Sequence, residues 1–322
     1  MTNLKEMDVQ RVVDFLKLWA PGRADRLDNL FRRVSPRFRL DREAEEIVFC
    51  ADPPTHTITL GNRGSCRLQA HAYAAGIWLT AMATPGYLEM ASEERKRLCD
   101  PADPLLTWAV GRDLQQMLKD VEGHTRDLDE IMVGAGPELP SGLLKSLSKQ
   151  QRCFGEGFFS TAIAFIILHE LAHLDLNHSA RCTSDVSIQQ EAAADRYAAE
   201  WLLECPNVSQ ARRLNCLFGM TIAMAWLTVL NVYLGPTRSA THPESCDRLY
   251  NLLHEFVDEE SDDERLTVWG FTARTLFVHV DNAGIAVDAA ALQGSEEERV
   301  KYLIDLIACR TDSPGDRAEG TA

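Results

Sequence analysis

Residues 158–177 read FFSTAIAFIILHELAHLDLN, an apolar, helix-forming stretch that contains the motif His169-Glu170-Leu171-Ala172-His173. Positions four apart lie on one face of a helix, so the imidazoles of His169 and His173 can reach one metal ion. Glu170 then lies beside the remaining coordination position, where it can act as a general base. Two nitrogen ligands, a base and an open position are the minimum set for zinc-dependent hydrolysis.

The residues around this motif predict that its helix is buried. Isoleucines and leucines recur on one face, at positions 163, 166, 167, 171 and 174. Glu170 is then buried as well, and a buried carboxylate between two histidines is costly unless something compensates its charge. A metal ion does so directly, which favours a metal site over a chance match to the motif.

A second motif, Glu191-Ala192-Ala193-Ala194-Asp195, follows on the next predicted helix. The alanines permit close approach between helices, which a third ligand requires. We expect Glu191 to complete a His/His/Glu zinc site. We expect Asp195 to accept the other ring N–H of a ligand histidine, with His169 the favoured partner. The alternative is an exposed acidic helix face near Arg196.

A third motif is Thr241-His242-Pro243-Glu244, with Arg248 further along. Pro243 disfavours helix at His242, so the imidazole projects from a loop or from a helix start. His242 could then donate to the oxyanion that forms when water attacks a carbonyl, while Arg248 could assist or could hold Glu191 or Asp195. The alternative is an ordinary helix start with a surface histidine.

Two further polar residues follow the HELAH motif. His178 lies nine residues after His169, on nearly the opposite helical phase, which predicts a structural role at the helix end. Asp175 is a weaker candidate for contact with the ligand-bearing helix. Neither a GxSxG nucleophile signature nor a glycine-rich phosphate loop is present in the sequence.

Composition narrows the class of protein. The chain has 322 residues, 45% hydrophobic and 25% charged, which is ordinary for a globular protein. Its net charge of -15 argues against a general nucleic-acid binder and is unfavourable for docking on anionic membranes. Nine cysteines without a CxxC pair suggest neither a disulfide framework nor a thiolate zinc knuckle. With a polar N-terminus that lacks a signal-peptide core, this predicts a cytoplasmic protein.

One stretch leaves the membrane question open. Leu217 to Leu234 is apolar over 18 residues, which just reaches the lower length limit for a spanning helix. It contains Gly219 and Asn231 and lacks a strongly basic flank. We therefore expect a buried core helix, with a membrane anchor as the alternative.

Periodicity predicts a mainly α (α+β) fold. Residues 5–34 indicate helix with a break at Pro21-Gly22, and two strands are expected at Ile47–Cys50 and Thr55–Leu60. Further helices are predicted at residues 66–83, 105–121, 158–177, 185–204, 209–234, 243–257, 264–279 and 296–309. Residues 134–157 are rich in Gly, Pro, Ser and Lys, which indicates a loop.

The motifs resemble those of known metallopeptidases. HELAH, EAAAD and THPE together resemble the zincins whose third ligand is a glutamate (gluzincins). The ExxxD and His-Pro elements are similar to those of M48-type peptidases, which usually carry membrane helices. The longer stretch from Ile166 to Leu203 looks more like the bacterial Lit-type peptidases (family U49), which are phage-exclusion proteins that cleave a host translation factor.

The resemblance implies a zincin-like helical core that binds Zn²⁺ and cleaves an intracellular protein. Because an intracellular peptidase must be restrained, one hypothesis is that an activating trigger protein or peptide is a further partner. The rival functions are an ImmA-like peptidase that cleaves a transcriptional repressor and a non-catalytic, zinc-stabilised interaction module. The expected domains are an N-terminal α+β region (1–133), a boundary loop (134–157), the catalytic core (158–257), a C-terminal helical region (258–310) and a disordered tail (311–322).

Overall fold

The computed structural model describes residues 4–41, 49–84, 92–102, 105, 146–179, 184–204, 209–234, 245–257, 261–282 and 284–311. These residues are mostly helical with one small sheet near the N-terminus, which confirms the mainly α (α+β) prediction. The strands are β1 (Leu4–Glu6), β2 (Arg37–Asp41), β3 (Phe49–Asp52) and β4 (Thr57–Gly61). The helices are α1 (Val9–Trp19), α2 (Ala24–Val34), α3 (Asn62–Met82), α4 (Ser92–Cys99), α5 (Lys149–Asp175), α6 (Ser184–Leu203), α7 (Gln210–Leu234), α8 (Ser245–Phe256), α9 (Asp262–Asn282) and α10 (Glu296–Thr311).

The sheet has the order β1-β2-β4-β3. Strands β2 and β4 pair in parallel, with Phe38 opposite Ile58, whereas β1 and β3 pair antiparallel with their neighbours. Phe38 and Ile58 are fully buried. Within the described part of the sheet, β3 is an edge strand, and it also contacts α5. The predicted strands correspond to β3 and β4, while β1 and β2 were not predicted.

Helices α3 and α5 pack against each other, and they contact the sheet at β4 and β3, respectively. They approach closely at two glycines. A Cβ at Gly76 would lie 2.9 Å from the backbone nitrogen of Gly155, and a Cβ at Gly155 would lie 2.6 Å from the Tyr73 ring. Glycine therefore serves here for close approach of two helices, since any side chain would force them apart.

The helix that carries the HELAH motif begins earlier than expected. The prediction began it near residue 158, but α5 starts at Lys149. Ser148 accepts a hydrogen bond from the backbone of Gln151, and the Gln151 side chain accepts one from the backbone of Ser148, which is a complete capping box. Residues 134–145 of the predicted loop lie outside the described residues.

Among the described helices, only α5 is long and apolar enough to cross a bilayer. Of its most apolar stretch, 83% is buried inside the protein. This is weak support for a membrane span, because a buried core helix passes the same test. In α7, Leu217 and the residues up to Trp226 are largely buried, and side chains from residue 229 onward lie outside the description.

The chain divides into two compact units. The first comprises Met1–Cys182 and Ala192–Ala223 and holds the sheet with α1 to α5. The second comprises Thr183–Glu191 and Met224–Ala322, in which α10 packs against α8 and α9. The boundary passes inside α6 and α7, each of which is one unbroken helix. The domain boundaries expected from composition stay a prediction.

His71 of α3 predicts an acid-dependent loss of stability. Burial lowers the pKa of this histidine from 6.5 to about 3. Below pH 6.5 the unfolded chain gains a proton at this position and the folded chain does not, so folding weakens as the pH falls toward 3. Between pH 7 and pH 5 this histidine should lower the free energy of unfolding by about 2 kcal/mol.

The measurement is urea unfolding of wild type and His71→Leu at pH 7 and pH 5, with EDTA present. The variant lacks the titrating group, so its free energy of unfolding should fall about 2 kcal/mol less over this range. An equal fall in both proteins would contradict the prediction, whatever the absolute stability of the variant.

Candidate metal centre

Helix α5 places His169, Glu170 and His173 on its last turns. The Nε2 atoms of His169 and His173 lie 3.1 Å apart, so the two rings converge on one point. His169 and Glu170 are buried, each 7% exposed, and His173 is half-buried. As the sequence predicts, the two imidazoles lie on one face of the helix.

Helix α6 brings the second motif to the same point. Oδ1 of Asp195 lies 2.9 Å from Nδ1 of His169, at the ring nitrogen opposite to the converging Nε2. Both side chains are buried, so this contact is shielded from water. Glu191 lies one helical turn before Asp195 and therefore on the same face of α6.

His169, His173 and Glu191 could together hold a metal ion. Each offers one ligand atom, and the three atoms lie within 4.8 Å of one another. Two imidazole nitrogens and one carboxylate oxygen form a donor set that zinc accepts with a fourth position left open. The three residues therefore fit the zinc site expected from the sequence, while the identity of the metal stays a prediction.

Arg248, on α8, pairs with Glu191. Its Nη1 lies 2.9 Å from Oε2 of Glu191, and the side chains are only 13% and 8% exposed. Of the two partners considered for Arg248, Glu191 and Asp195, this contact selects Glu191. Because the guanidinium occupies Oε2, the other carboxylate oxygen can face a metal ion.

The end of α5 holds a cluster that the sequence only hinted at. Asp175 accepts three hydrogen bonds from the Arg33 guanidinium, at 2.9 Å from Nε and 2.6 Å from Nη2 to Oδ1 and at 2.8 Å from Nη2 to Oδ2. It accepts a fourth from the Tyr197 hydroxyl at 3.1 Å. Arg33 lies on α2 and Tyr197 on α6, so one carboxylate ties three helices together. Burial and the charge of Asp175 raise the pKa of Tyr197, which keeps its hydroxyl a donor. This cluster fixes α6 against the end of α5.

His178 contacts the second histidine of the motif. Its Nδ1 lies 2.9 Å from Nδ1 of His173, although the helical phase had predicted that it points elsewhere. The helix ends at Asp175, and Asn177 adopts a positive φ of 54°, so the phase of α5 no longer applies at His178. The signal that could have revealed this is an asparagine, which tolerates the left-handed conformation, just past a helix end.

The negative charge of Glu170 affects the pKa of Cys50 on the edge strand β3. Desolvation raises the pKa of the Cys50 thiol on β3, and the charges of Glu170 and then Asp52 raise it further, while a hydrogen bond with Thr59 lowers it. Strand β3 also contacts α5. The general-base candidate and the edge strand therefore lie near one another.

The predicted oxyanion donor, His242, lies outside the described residues together with the rest of Thr241-His242-Pro243-Glu244. Its role stays a prediction.

Comparison with known proteins covers this same part of the chain. No curated protein and no solved structure matches the sequence. Residues 133–272, which include both helices of the candidate site and Arg248, match the sequence model of the Peptidase U49 family, and the match supports a peptidase.

Proposed function

We propose that this protein is a zinc-dependent endopeptidase that cleaves an intracellular protein in the cytoplasm. The observation that carries the proposal is the group in which His169, His173 and Glu191 present ligand atoms within 4.8 Å of one another, with Glu170 adjacent to the first histidine. A purely structural zinc site usually fills its fourth position with a protein ligand and needs no base. Glu170 next to a three-ligand group therefore supports catalysis over a non-catalytic module.

The residues divide the work of hydrolysis among them. A zinc ion at this group supplies a Lewis acid that polarises the scissile carbonyl and makes water easier to deprotonate. Glu170 accepts the proton of the attacking water and delivers it to the leaving amine as the C–N bond breaks. Asp195 orients the ring of His169, and Arg248 holds one oxygen of Glu191. We retain His242 as the proposed oxyanion donor.

Strand β3 offers the way in for a substrate. An extended peptide can add to an exposed sheet edge through backbone hydrogen bonds, so that its alternate side chains select the sequence. Strand β3 contacts α5, and the charge of Glu170 raises the pKa of Cys50 on this strand. A peptide paired with β3 would therefore pass close to Glu170, the proposed base. We therefore propose β3 as the substrate edge.

The choice of substrate rests on the resemblance to Lit-type peptidases. It supports a role in phage defence in which a host translation factor is cleaved after a trigger protein or peptide appears. An intracellular peptidase needs such restraint, because constant activity would damage its own cell.

Low-level expression of wild type and Glu170→Gln in a bacterial host, with and without phage challenge, tests the proposal. New protein N-termini are then compared by mass spectrometry. We expect one or a few new N-termini with wild type alone, since a restrained peptidase has few substrates. If wild type binds zinc and yields no new N-terminus in any condition, the non-catalytic module is the better explanation.

A further inference from the structure

After the C-terminus of α5, the chain turns so that His178 lies next to His173 of the candidate metal centre. The backbone N–H of His178 donates to the carbonyl of His173 at 2.9 Å, and that of Asn177 donates to the carbonyl of Leu174 at 3.3 Å. Asn177 has φ +54°. These are the two hydrogen bonds and the left-handed residue of a Schellman motif. The backbone of His178 is thereby fixed on the turn that carries His173.

The fixed backbone places the side chains of His173 and His178 in contact. The ring centroids of His173 and His178 lie 4.9 Å apart at an interplanar angle of 75°, and their Nδ1 atoms are 2.9 Å apart. The other nitrogen of His173, Nε2, faces Nε2 of His169 at 3.1 Å. One nitrogen of His173 thus points to the proposed ligand position and the other to His178.

A neutral imidazole carries one N–H, so this arrangement constrains the tautomer of His173. If Nε2 offers its lone pair to a metal ion, Nδ1 carries the hydrogen and must find an acceptor. Nδ1 of His178 is within reach to accept it, with the hydrogen of His178 on its own Nε2. We propose that His178 is a positioning residue that holds His173 in the Nδ1–H tautomer and the orientation that metal binding requires. The inference rests on the proposed function.

The charge of the site explains why a histidine suits this position. Glu170, Glu191 and Asp195 already place three carboxylates around the two ligand histidines. A fourth carboxylate against His173 would add repulsion beside these three, whereas a neutral imidazole accepts the hydrogen bond without adding charge. The two ligands therefore have different supports, an anion at His169 and a neutral acceptor at His173.

Metal affinity of the full chain tests the inference. We compare wild type, His178→Ala and His178→Gln for zinc affinity by chelator competition, and for the absorption spectrum of bound Co²⁺. Loss of an outer partner should weaken binding by about 10–100-fold in His178→Ala and alter the Co²⁺ spectrum. His178→Gln should recover much of the affinity, because its amide oxygen can accept from Nδ1 of His173. A helix-capping role alone would not produce this rescue.

Asn177 supplies a matched pair of variants that leave the imidazoles intact. Asn177→Gly retains access to positive φ and should bind zinc like wild type, whereas Asn177→Ala disfavours it and should weaken binding in the same direction as His178→Ala. Thermal unfolding of the metal-free proteins checks that each variant folds. If His178→Ala does not fold, the zinc affinity of His178→Leu is compared with that of His178→Gln instead.

Equal zinc affinity in wild type and in the variants without an acceptor would overturn the role of His178 and leave the proposed function intact. Absence of zinc binding by wild type itself would instead remove the proposed function. The two failures are therefore distinguishable in one titration series.

Discussion

Glu170→Gln should retain zinc at the wild-type level and lose about 10²–10⁴-fold of peptidase activity, the range that a general acid–base group contributes. Glutamine has nearly the shape of glutamate but cannot take a proton from the attacking water. Glu170 is 7% exposed and belongs to a closely packed helix, so a substitution of the same size should leave α5 in place. The loss should appear in kcat, because the proton transfer belongs to the transition state.

The measurement uses a peptide that spans the bond cleaved in cells, with zinc content determined on the same preparations. Glu156→Gln is the matched control, because Glu156 lies on the exposed side of the same helix and contacts Tyr73. It should retain both zinc and activity. Wild-type activity in Glu170→Gln would show that another group serves as the base, and loss of zinc would show that Glu170 is needed for the site itself.

The parts of the site that lie on helices could be predicted because helical spacing fixes which side chains share a face. His169 with His173, and Glu191 with Asp195, are each four residues apart, so local sequence alone placed each pair. The positions at which the helices begin and end were harder to predict from the sequence. Gly155 falls within the loop predicted at residues 134–157, yet it lies inside α5, where its lack of a side chain leaves room for the Tyr73 ring. The need for glycine at this position comes from Tyr73 on α3, which is far from Gly155 in the sequence.

Two strands were missed for a related reason. β1 is only Leu4–Glu6, and β2 reads RFRLD with charged residues between its apolar ones. Their strand state depends on pairing, since β2 lies parallel to β4, with Arg37 opposite Thr57. Parallel pairing joins segments separated in sequence, so a local pattern carries little trace of it. Helical phase does not predict the contact of His178 with His173, because α5 ends at Asp175, before His178.

Substitution of Glu191 should have the second-largest effect, because two different interactions are lost. As a proposed ligand, Glu191 should contribute more to zinc affinity than an outer partner does, so Glu191→Ala should weaken binding by more than about 100-fold. The same change removes the carboxylate that pairs with the Arg248 guanidinium, which is 13% exposed. Removal of one partner from a buried ion pair costs about 3–5 kcal/mol of stability.

Metal-free and zinc-loaded proteins separate these two interactions. We expect Glu191→Ala to unfold at lower urea concentration than wild type in EDTA, and to gain little from added zinc, since ligand binding stabilises only a protein with affinity for it. Arg248→Ala should lose comparable stability in EDTA but regain much of it with zinc, because Glu191 can still serve as a ligand. Its zinc affinity should fall by about 10–100-fold, as for other outer partners.

The double variant Glu191→Leu/Arg248→Met completes the comparison. Replacing both partners of a buried ion pair with apolar residues is often neutral or stabilising, so the metal-free double variant should be more stable than either single alanine variant. It should still fail to bind zinc tightly, because the carboxylate is gone. This combination, a stable fold without zinc affinity, distinguishes a ligand from a residue that only supports the fold. Wild-type zinc affinity in the double variant would contradict the assignment of Glu191 and leave the ion pair as its whole role.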